Sequence, residues 1–467
     1  MTFNDSSLPP VLPEDAAPLM ATVSGSVLLP GDAGYDDERA VFNLNHELTP
    51  AVIVVPESVA DVQAAVSFAA VQHRPLLVKT TGHQIVGSAS GAVVIATHRM
   101  NDITIDAACR SVRVGAGVLW SEVIAKTAEV GLAPLNGSNP TVGVSGYTLG
   151  GGLSPTLGRS QGYAADHVRS LDVVTADGKL RHVTAESEPD LFWALRGGKG
   201  NFGVVTALEF DLFPVSRLYG GGLYFPGDRT ADVLRAWTAW HPSTPETMVT
   251  SIAVMRMPSM PEVAEPLRGK FLVSVRIAYN GTTADGERMI EPLRAVAPAI
   301  MDTVGDMSYA EVASIHNEPT DAVPYYERGI MLREFPPQAQ DKLIELVGPD
   351  AETDLVMAEL RALGGAWDRE PKVPNAVATR GLPYSLLAVS AGPLSEEEQL
   401  KMSVANLLDG MKPWQGARRY VNNLAPDEAA DVAAIYGPER YERLASIKKT
   451  YDPANMFRLN HNVVPAT

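Results

Sequence analysis

Residues 75–91 read PLLVKTTGHQIVGSASG: an apolar run breaks into a loop of small residues around His83. Upstream, AVIVV (51–55) is a second apolar run, stopped by Pro56. Ser58, with Asp61 three residues later, opens VADVQAAVSFAAVQ as a capped helix. Strand, helix, strand and small-residue loop follow one another here without a spacer, and this order sets an α+β reading for the first part of the chain.

Working outward, GAVVIAT, DITID and SVRVGAG read as further strands, and a helix is expected to begin near Val118. A long Gly/Asn/Pro-rich loop then runs from Gly131 to Gly152, too long for a plain connector. LDVVTADGKLRHV reads as a hairpin about Asp177-Gly178, SEPDLFWALRGG as a helix capped by Ser187 with Asp190, and VVTALEFDLF as a strand. From Pro214 to Met411 the character changes. Strand-like runs such as KFLVSVRIAY and YSLLAVSAG alternate with Pro-rich stretches and with helices such as SEEEQLKMSVANLLDG. The tail from Trp414 returns to helices and ends in an Asn-rich segment. No internal repeat is visible.

The chain has 467 residues, more than the roughly 250–300 at which a single core stops growing, so at least two lobes are expected. The division is residues 1–213 with 412–467 as one lobe and 214–411 as the other, a mainly antiparallel sheet covered by helices. With 38 Lys and Arg against 55 Asp and Glu, the net charge of −17 argues against nucleic acid or an anionic membrane as partner. The start, MTFNDSSLPPVLPEDAAPLM, lacks the basic flank and apolar run of a signal peptide, and no stretch offers the ~20 apolar residues of a membrane span. A cytoplasmic protein is expected. Cys109 is the only cysteine, which excludes an intramolecular disulfide and multi-cysteine metal sites, and no metal centre is expected.

Two motifs fail on context. GGKGNFG has the Gly198, Gly200, Gly203 spacing of a dinucleotide fingerprint, yet it follows a helix and precedes a strand, the reverse of the order that works. GRSQG offers Ser160 as a hydrolase nucleophile without the strong strand such an elbow needs. The loop around His83 is different: its small residues let main-chain amides approach a pyrophosphate. NGSNPTVGVSGYTLGGG (136–152) supplies a second small-residue surface, long enough to lie along a flat ring and its chain.

Taken in order, TTGH, NPTVGVSGYTLGGG, ADGKLRHV, PDLFWALRGGKGNFGVVTALEF, YVNN and KKTYDPANMFRLNHN resemble the berberine-bridge-enzyme-like FAD-linked oxidases of the vanillyl-alcohol-oxidase and p-cresol methylhydroxylase superfamily. The resemblance covers the first lobe and the tail, and the middle matches loosely. It implies a two-lobe α+β fold whose FAD is bonded covalently to His83. Around the flavin it places Lys79, Thr80, Thr81, Gly82, Gln84, Ser88, Asn139, Thr141, Val142, Gly143, Gly146, Tyr147, Gly150, Gly151, Val204, Tyr420, Asn422, Asn460 and Asn462. Asn139 stands where many relatives carry a second, cysteinyl tether, so a single histidyl link is implied, as in the singly linked bacterial members. Val142 occupies the oxygen gatekeeper's place and resembles the oxygen-reactive members.

The resemblance names Tyr420 as a candidate base, beside Asn422 on an extended segment. A phenol of pKa near 10 would have to be acidified by Arg418, Arg419 or the flavin's surroundings. Glu359, an alternative base, and Arg361 are further catalytic candidates that share one face if AELRALGG is a strand, and a carboxylate occurs at the place of Glu359 in a relative; charged pairs on a strand usually face water. The implied activity is hydride removal from a small molecule (an alcohol, sugar, amine or secondary-metabolite intermediate), with dioxygen as acceptor and hydrogen peroxide as product. Alternatives are a dehydrogenase using another acceptor, a non-catalytic flavin module and, distantly, a hydrolase built on Ser160.

Overall fold

The computed structural model describes residues 8–467, the side chains of 429–431 excepted. The reading of the chain's start thus rests in part on residues 1–7, which lie outside the described residues. Val52–Val55, the helix Val59–Val71 and Leu76–Lys79 form as the sequence leads one to expect. Ser58 is extended (φ −142°, ψ 163°) and accepts from the Asp61 amide at 3.2 Å. The Asp61 carboxylate takes the amides of Ser24, Gly25, Glu57 and Ser58 in return, so the amides of Ser58 and Asp61 at this helix start are both answered.

These strands belong to a four-stranded sheet ordered Ser26–Leu28, Val52–Val55, Val93–Ala96, Leu76–Lys79. Its last three strands pair in parallel, and Val52–Val55 and Val93–Ala96 are buried at every residue, as covered parallel strands are. Leu76–Lys79 is the edge strand, and its exit delivers the chain directly to Thr80, Thr81, Gly82 and His83. A five-stranded antiparallel sheet follows, ordered Ile103–Asp106, Ser111–Gly115, Val204–Asp211, Val168–Val174, Leu180–Val183. Gly178, at φ +72°, turns its hairpin.

Two local expectations fail. The stretch from Gly131 to Gly152 is not loop throughout: Val144–Leu149 is helical, because VSGYTL carries no proline after Pro140 and buries Val144 and Leu149. Nor does Ser187 cap the next helix. Pro189–Leu195 starts after Glu188, which sits in the left-handed region (φ 58°), while the Ser187 hydroxyl bonds the carbonyl of His182.

The third sheet has eight strands, all antiparallel. Its order is Met301–Asp302, Arg217–Pro226, Phe271–Tyr279, Met248–Arg256, Leu355–Ala362, Tyr384–Ala391, Tyr325–Leu332, with Gly305–Ser308 also paired to Arg217–Pro226. Side chains alternate across it. Ile252, Val254, Val275, Leu360 and Leu386 point to one face and pack under residues of the helices Thr230–Trp240, Thr283–Arg294, Pro337–Val347 and Glu397–Met411. The alternate positions put Ser251, Arg276, Glu359 and Arg361 on the other face, where Ser251 is the register partner of both arginines. The chain is α+β, and no helix among the described residues is long and apolar enough to cross a membrane.

Candidate active site

His83 is the point to which the first sheet leads. Its ring stacks on Phe42 (centroids 3.8 Å apart, planes at 12°). Nδ1 lies 2.8 Å from the Thr81 hydroxyl and Nε2 3.4 Å from the Thr141 hydroxyl. Thr141 in turn donates to Asn139 Oδ1 at 2.7 Å, so the network assigns the ring proton to Nε2 and leaves Nδ1 as acceptor. Burial pushes the imidazole down to about 4, and it is neutral at ordinary pH. Asn139 also donates to the Pro319 carbonyl at 2.8 Å, so its amide is committed at both ends.

The second small-residue segment packs against the 420–423 turn. A Cβ on Gly150 would fall 1.8 Å from Asn422 Oδ1, and one on Gly152 (φ +76°) 2.6 Å from the Tyr147 ring. Only glycine permits this approach. Tyr420 and Asn422 are not on an extended segment as read from RRYVNN: Val421–Asn423 is a single 3-10 turn. They nonetheless meet, because Asn422 Nδ2 donates to the Tyr420 oxygen at 3.0 Å, as does the Leu153 amide at 2.9 Å. Burial pushes the Tyr420 phenol up to about 12 against these donors. The two arginines expected from sequence to acidify it are engaged elsewhere: Arg419 pairs with Glu428, and among the described residues Arg418 bonds the Ala417 carbonyl.

Glu359 and Arg361 do share a face, but they do not face water. Glu359 is 4% exposed and forms a cluster with Arg276 (3.1 Å), Arg361 (3.2 Å) and His316 (3.7 Å). Despite the cost of burial, Arg361 and Arg276 hold its carboxyl well below the usual range. The Arg361 charge also bears on the Tyr147 and Tyr420 phenols, which joins this cluster to the turn below it.

Other predicted residues are placed as follows. Gln84 Nε2 donates to the Val421 and Leu424 carbonyls (3.0 and 2.9 Å), binding the His83 loop to the Tyr420 turn. Lys79 Nζ is spent on the Glu38 and Ala40 carbonyls, Thr80 on Thr97 and the Ala116 carbonyl, and Val204 on the apolar core. Gly143 abuts Thr80, a Cβ on Gly151 would touch the Tyr420 ring, Gly82 (φ +75°) closes on Val41, and Ser88 is exposed. Asn460 bonds the Gly200 and Phe457 carbonyls.

Residues 136–152, 420–422 and 460–462 leave polar atoms buried without a partner: Ser145 Oγ, Tyr147 OH, Thr148 Oγ1, Asn422 Oδ1, Asn460 Oδ1 and Asn462 Oδ1. Buried polar groups are rarely left so, and orphans converging from three segments fit a polar ligand with many hydrogen-bonding edges. A Cβ on Gly146 or Gly200 would meet nothing within 4 Å, so the main chain there borders open space. The residues fit FAD.

Comparison with known proteins decides the matter. Residues 50–184 match the model of an FAD binding domain, and residues 419–464 match that of the berberine and berberine-like family. The chain is 28% identical over 473 residues to (R)-6-hydroxynicotine oxidase of Paenarthrobacter nicotinovorans, covering 96% of this chain and 98% of that protein. The crystal structure of 6-hydroxy-D-nicotine oxidase from Arthrobacter nicotinovorans superposes with a TM-score of 0.82 at 27% identity, over 97% of this chain and all of that one.

This chain is an FAD-linked oxidoreductase, similar to the berberine-bridge-enzyme-like oxidases.

An FAD-linked oxidoreductase of Dictyostelium discoideum is 26% identical over 95% of both chains. The xylooligosaccharide oxidase of Myceliophthora thermophila, at 23% identity and a TM-score of 0.82 over 97% of this chain and 99% of that one, shares the fold. In this berberine-bridge-like chain the hydrolase alternative fails: Ser160 donates to the Leu157 carbonyl at 3.0 Å, and among the described residues no histidine bonds it.

Sequence reasoning missed Phe42, Lys199, Arg276, His316, Tyr325 and Glu327. Lys199 donates to Gln84 Oε1, is pulled down to about 7 by burial, and is held at φ +59°. A lysine in an otherwise glycine-rich GGKGNFG was its visible signal. Tyr325 and Glu327 alternate on YYERGIML, and the period-two pattern could have marked their face.

Proposed function

We propose that this enzyme is an oxidase of a small organic substrate, with FAD held by one covalent bond to His83. The state of His83 carries the reading: a neutral imidazole, clamped by Phe42, Thr81 and Thr141 at the rim of the cradle, with its Nδ1 lone pair unprotonated. With Asn139 in the cysteine's place and its amide committed to Pro319 and Thr141, no second bond forms. When bound, FAD supplies the two-electron acceptor that takes a hydride from the substrate and hands the electrons to dioxygen, giving hydrogen peroxide.

The chain's own residues do the rest. Residues 214–411 form the substrate lobe, and its polar sheet face roofs the site and keeps water out. Tyr420 accepts the substrate's proton, because the Leu153 amide and Asn422 Nδ2 aimed at its oxygen stabilise the phenolate, as donors placed at a developing oxyanion do. Glu359 is too acidic to serve as base; it positions Arg361 against Tyr420 and Tyr147. Val142, half-buried beside Trp120, is the compact residue that the resemblance associates with reaction of dioxygen.

Rapid mixing tests the oxidase reading. Enzyme reduced anaerobically should reoxidise with dioxygen within seconds and release one peroxide per flavin. Slow reoxidation by dioxygen with fast reoxidation by a quinone would make it a dehydrogenase.

A further inference from the structure

Glu327 lies on Tyr325–Leu332, the edge strand of the eight-stranded sheet, on the face that meets the site. Its same-face neighbours fix where it points. Tyr325 donates through its hydroxyl to the His83 carbonyl at 3.0 Å, and Gly329 abuts Asn423 so closely that a Cβ there would stand 2.7 Å from the Asn423 Cβ. Glu327 therefore stands between the His83 loop and the Tyr420–Asn423 turn.

Among the described residues its carboxylate has no hydrogen-bond or ion-pair partner. The cations around it are committed elsewhere: Arg328, on the opposite face of the strand, and Arg419 both pair with Glu428; Arg361 pairs with Glu359; Lys199 donates to Gln84. A second carboxylate, Glu318, from the segment after Tyr309–Ile315, adds its charge to Glu327 and to Tyr325. Burial, then Glu318, push the Glu327 carboxyl up to about 7. Glu327 and Glu318 are both half-buried, and Arg361, whose charge reaches Glu318, is committed to Glu359, so the like-charged pair is costly unless a ligand brings a positive charge.

We infer that Glu327, assisted by Glu318, forms a subsite for an organic cation, so that the substrate carries an ammonium or similar positive group a few atoms from the carbon that is oxidised. This rests on the functional reading above, which places the substrate under this sheet face.

Choline and its uncharged isostere 3,3-dimethylbutan-1-ol are suitable probes, titrated calorimetrically into the purified holoenzyme. The expected result is at least tenfold tighter binding of choline. Glu327→Gln should bring the two within about twofold of each other, and Glu327→Asp should keep part of the preference. Glu318→Gln should weaken choline severalfold and serves as the second test should Glu327→Gln not fold. Equal affinity for the two probes, binding of neither, or a preference untouched by both glutamine variants would overturn the subsite. Flavin absorbance of the same samples reports separately on the functional reading: a yellow protein without cation preference sinks the subsite alone, and a colourless protein that prefers choline sinks the flavin reading alone.

Discussion

The Tyr325 hydroxyl donates to the main-chain carbonyl of His83 at 3.0 Å, tying an edge strand of the eight-stranded sheet to the loop that carries His83. Tyr325 also meets Phe42 edge-on (centroids 6.4 Å), and Phe42 carries the stacked His83 ring, so one tyrosine fixes both main chain and ring plane. Tyr325→Phe should cost about 1 kcal/mol of stability from the lost hydrogen bond. It should also slow covalent flavin incorporation, read as the acid-stable flavin fraction over time, without changing the final amount.

Tyr420 starts as a protonated phenol of pKa about 12, so the reactive phenolate fraction rises tenfold per pH unit below that value. The log of kcat/KM should climb with unit slope between pH 8 and 10. Tyr420→Phe should flatten the profile and lower kcat/KM by about 10²–10³-fold. A wild-type plateau reached near pH 7 would assign the proton transfer to another group.

Gly150→Ala places a methyl group 1.8 Å from Asn422 Oδ1, and Asn422 has no free direction in which to retreat because its Nδ2 is bonded to Tyr420 and to the Tyr147 carbonyl. A loss of about 1–3 kcal/mol is expected from overpacking. Activity should fall further than stability, since Tyr420 loses a donor. Gly146→Ala, which meets nothing within 4 Å, should fold as wild type yet hold flavin less tightly. Thermal melts and flavin stoichiometry separate the two.

Glu327 has a folded-state pKa of about 7, above its ordinary value near 4.5, so the native state binds the proton more tightly than the unfolded chain does. Its contribution to stability is present below about pH 4.5 and is lost as pH rises through 7. Glu327→Gln removes that loss. The variant should match wild type near pH 4.5 and exceed it by up to about 3 kcal/mol at pH 8, because each pH unit between the two values is worth roughly 1.4 kcal/mol. Denaturant melts at the two pH values give the comparison, and a variant less stable than wild type at pH 8 would contradict the placement of Glu327.

The elements and their order were legible because period-two alternation, the Ser58 cap and the Asp177-Gly178 turn are local signals. Ser187 misled for the same reason: its spacing to Asp190 was right, but Glu188 reached the left-handed region and started the helix instead. The pairing of Tyr420 with Asn422 was legible, although the turn joining them was not. Glu359 stood open between a catalytic role and a solvent-facing charge, because nothing in AELRALGG announces Arg276 and His316, 83 and 43 residues upstream, which hold it in the interior. Phe42 and Tyr325 act on His83 across 41 and 242 residues, contacts that no local pattern encodes.

The central claim is a single histidyl bond to flavin, and acid precipitation of purified protein followed by peptide mapping tests it most directly. All flavin should stay with the precipitate, on one peptide containing His83 and none containing Asn139, and His83→Ala should release it to the supernatant. Flavin found entirely in the wild-type supernatant, or on a peptide lacking His83, would contradict it.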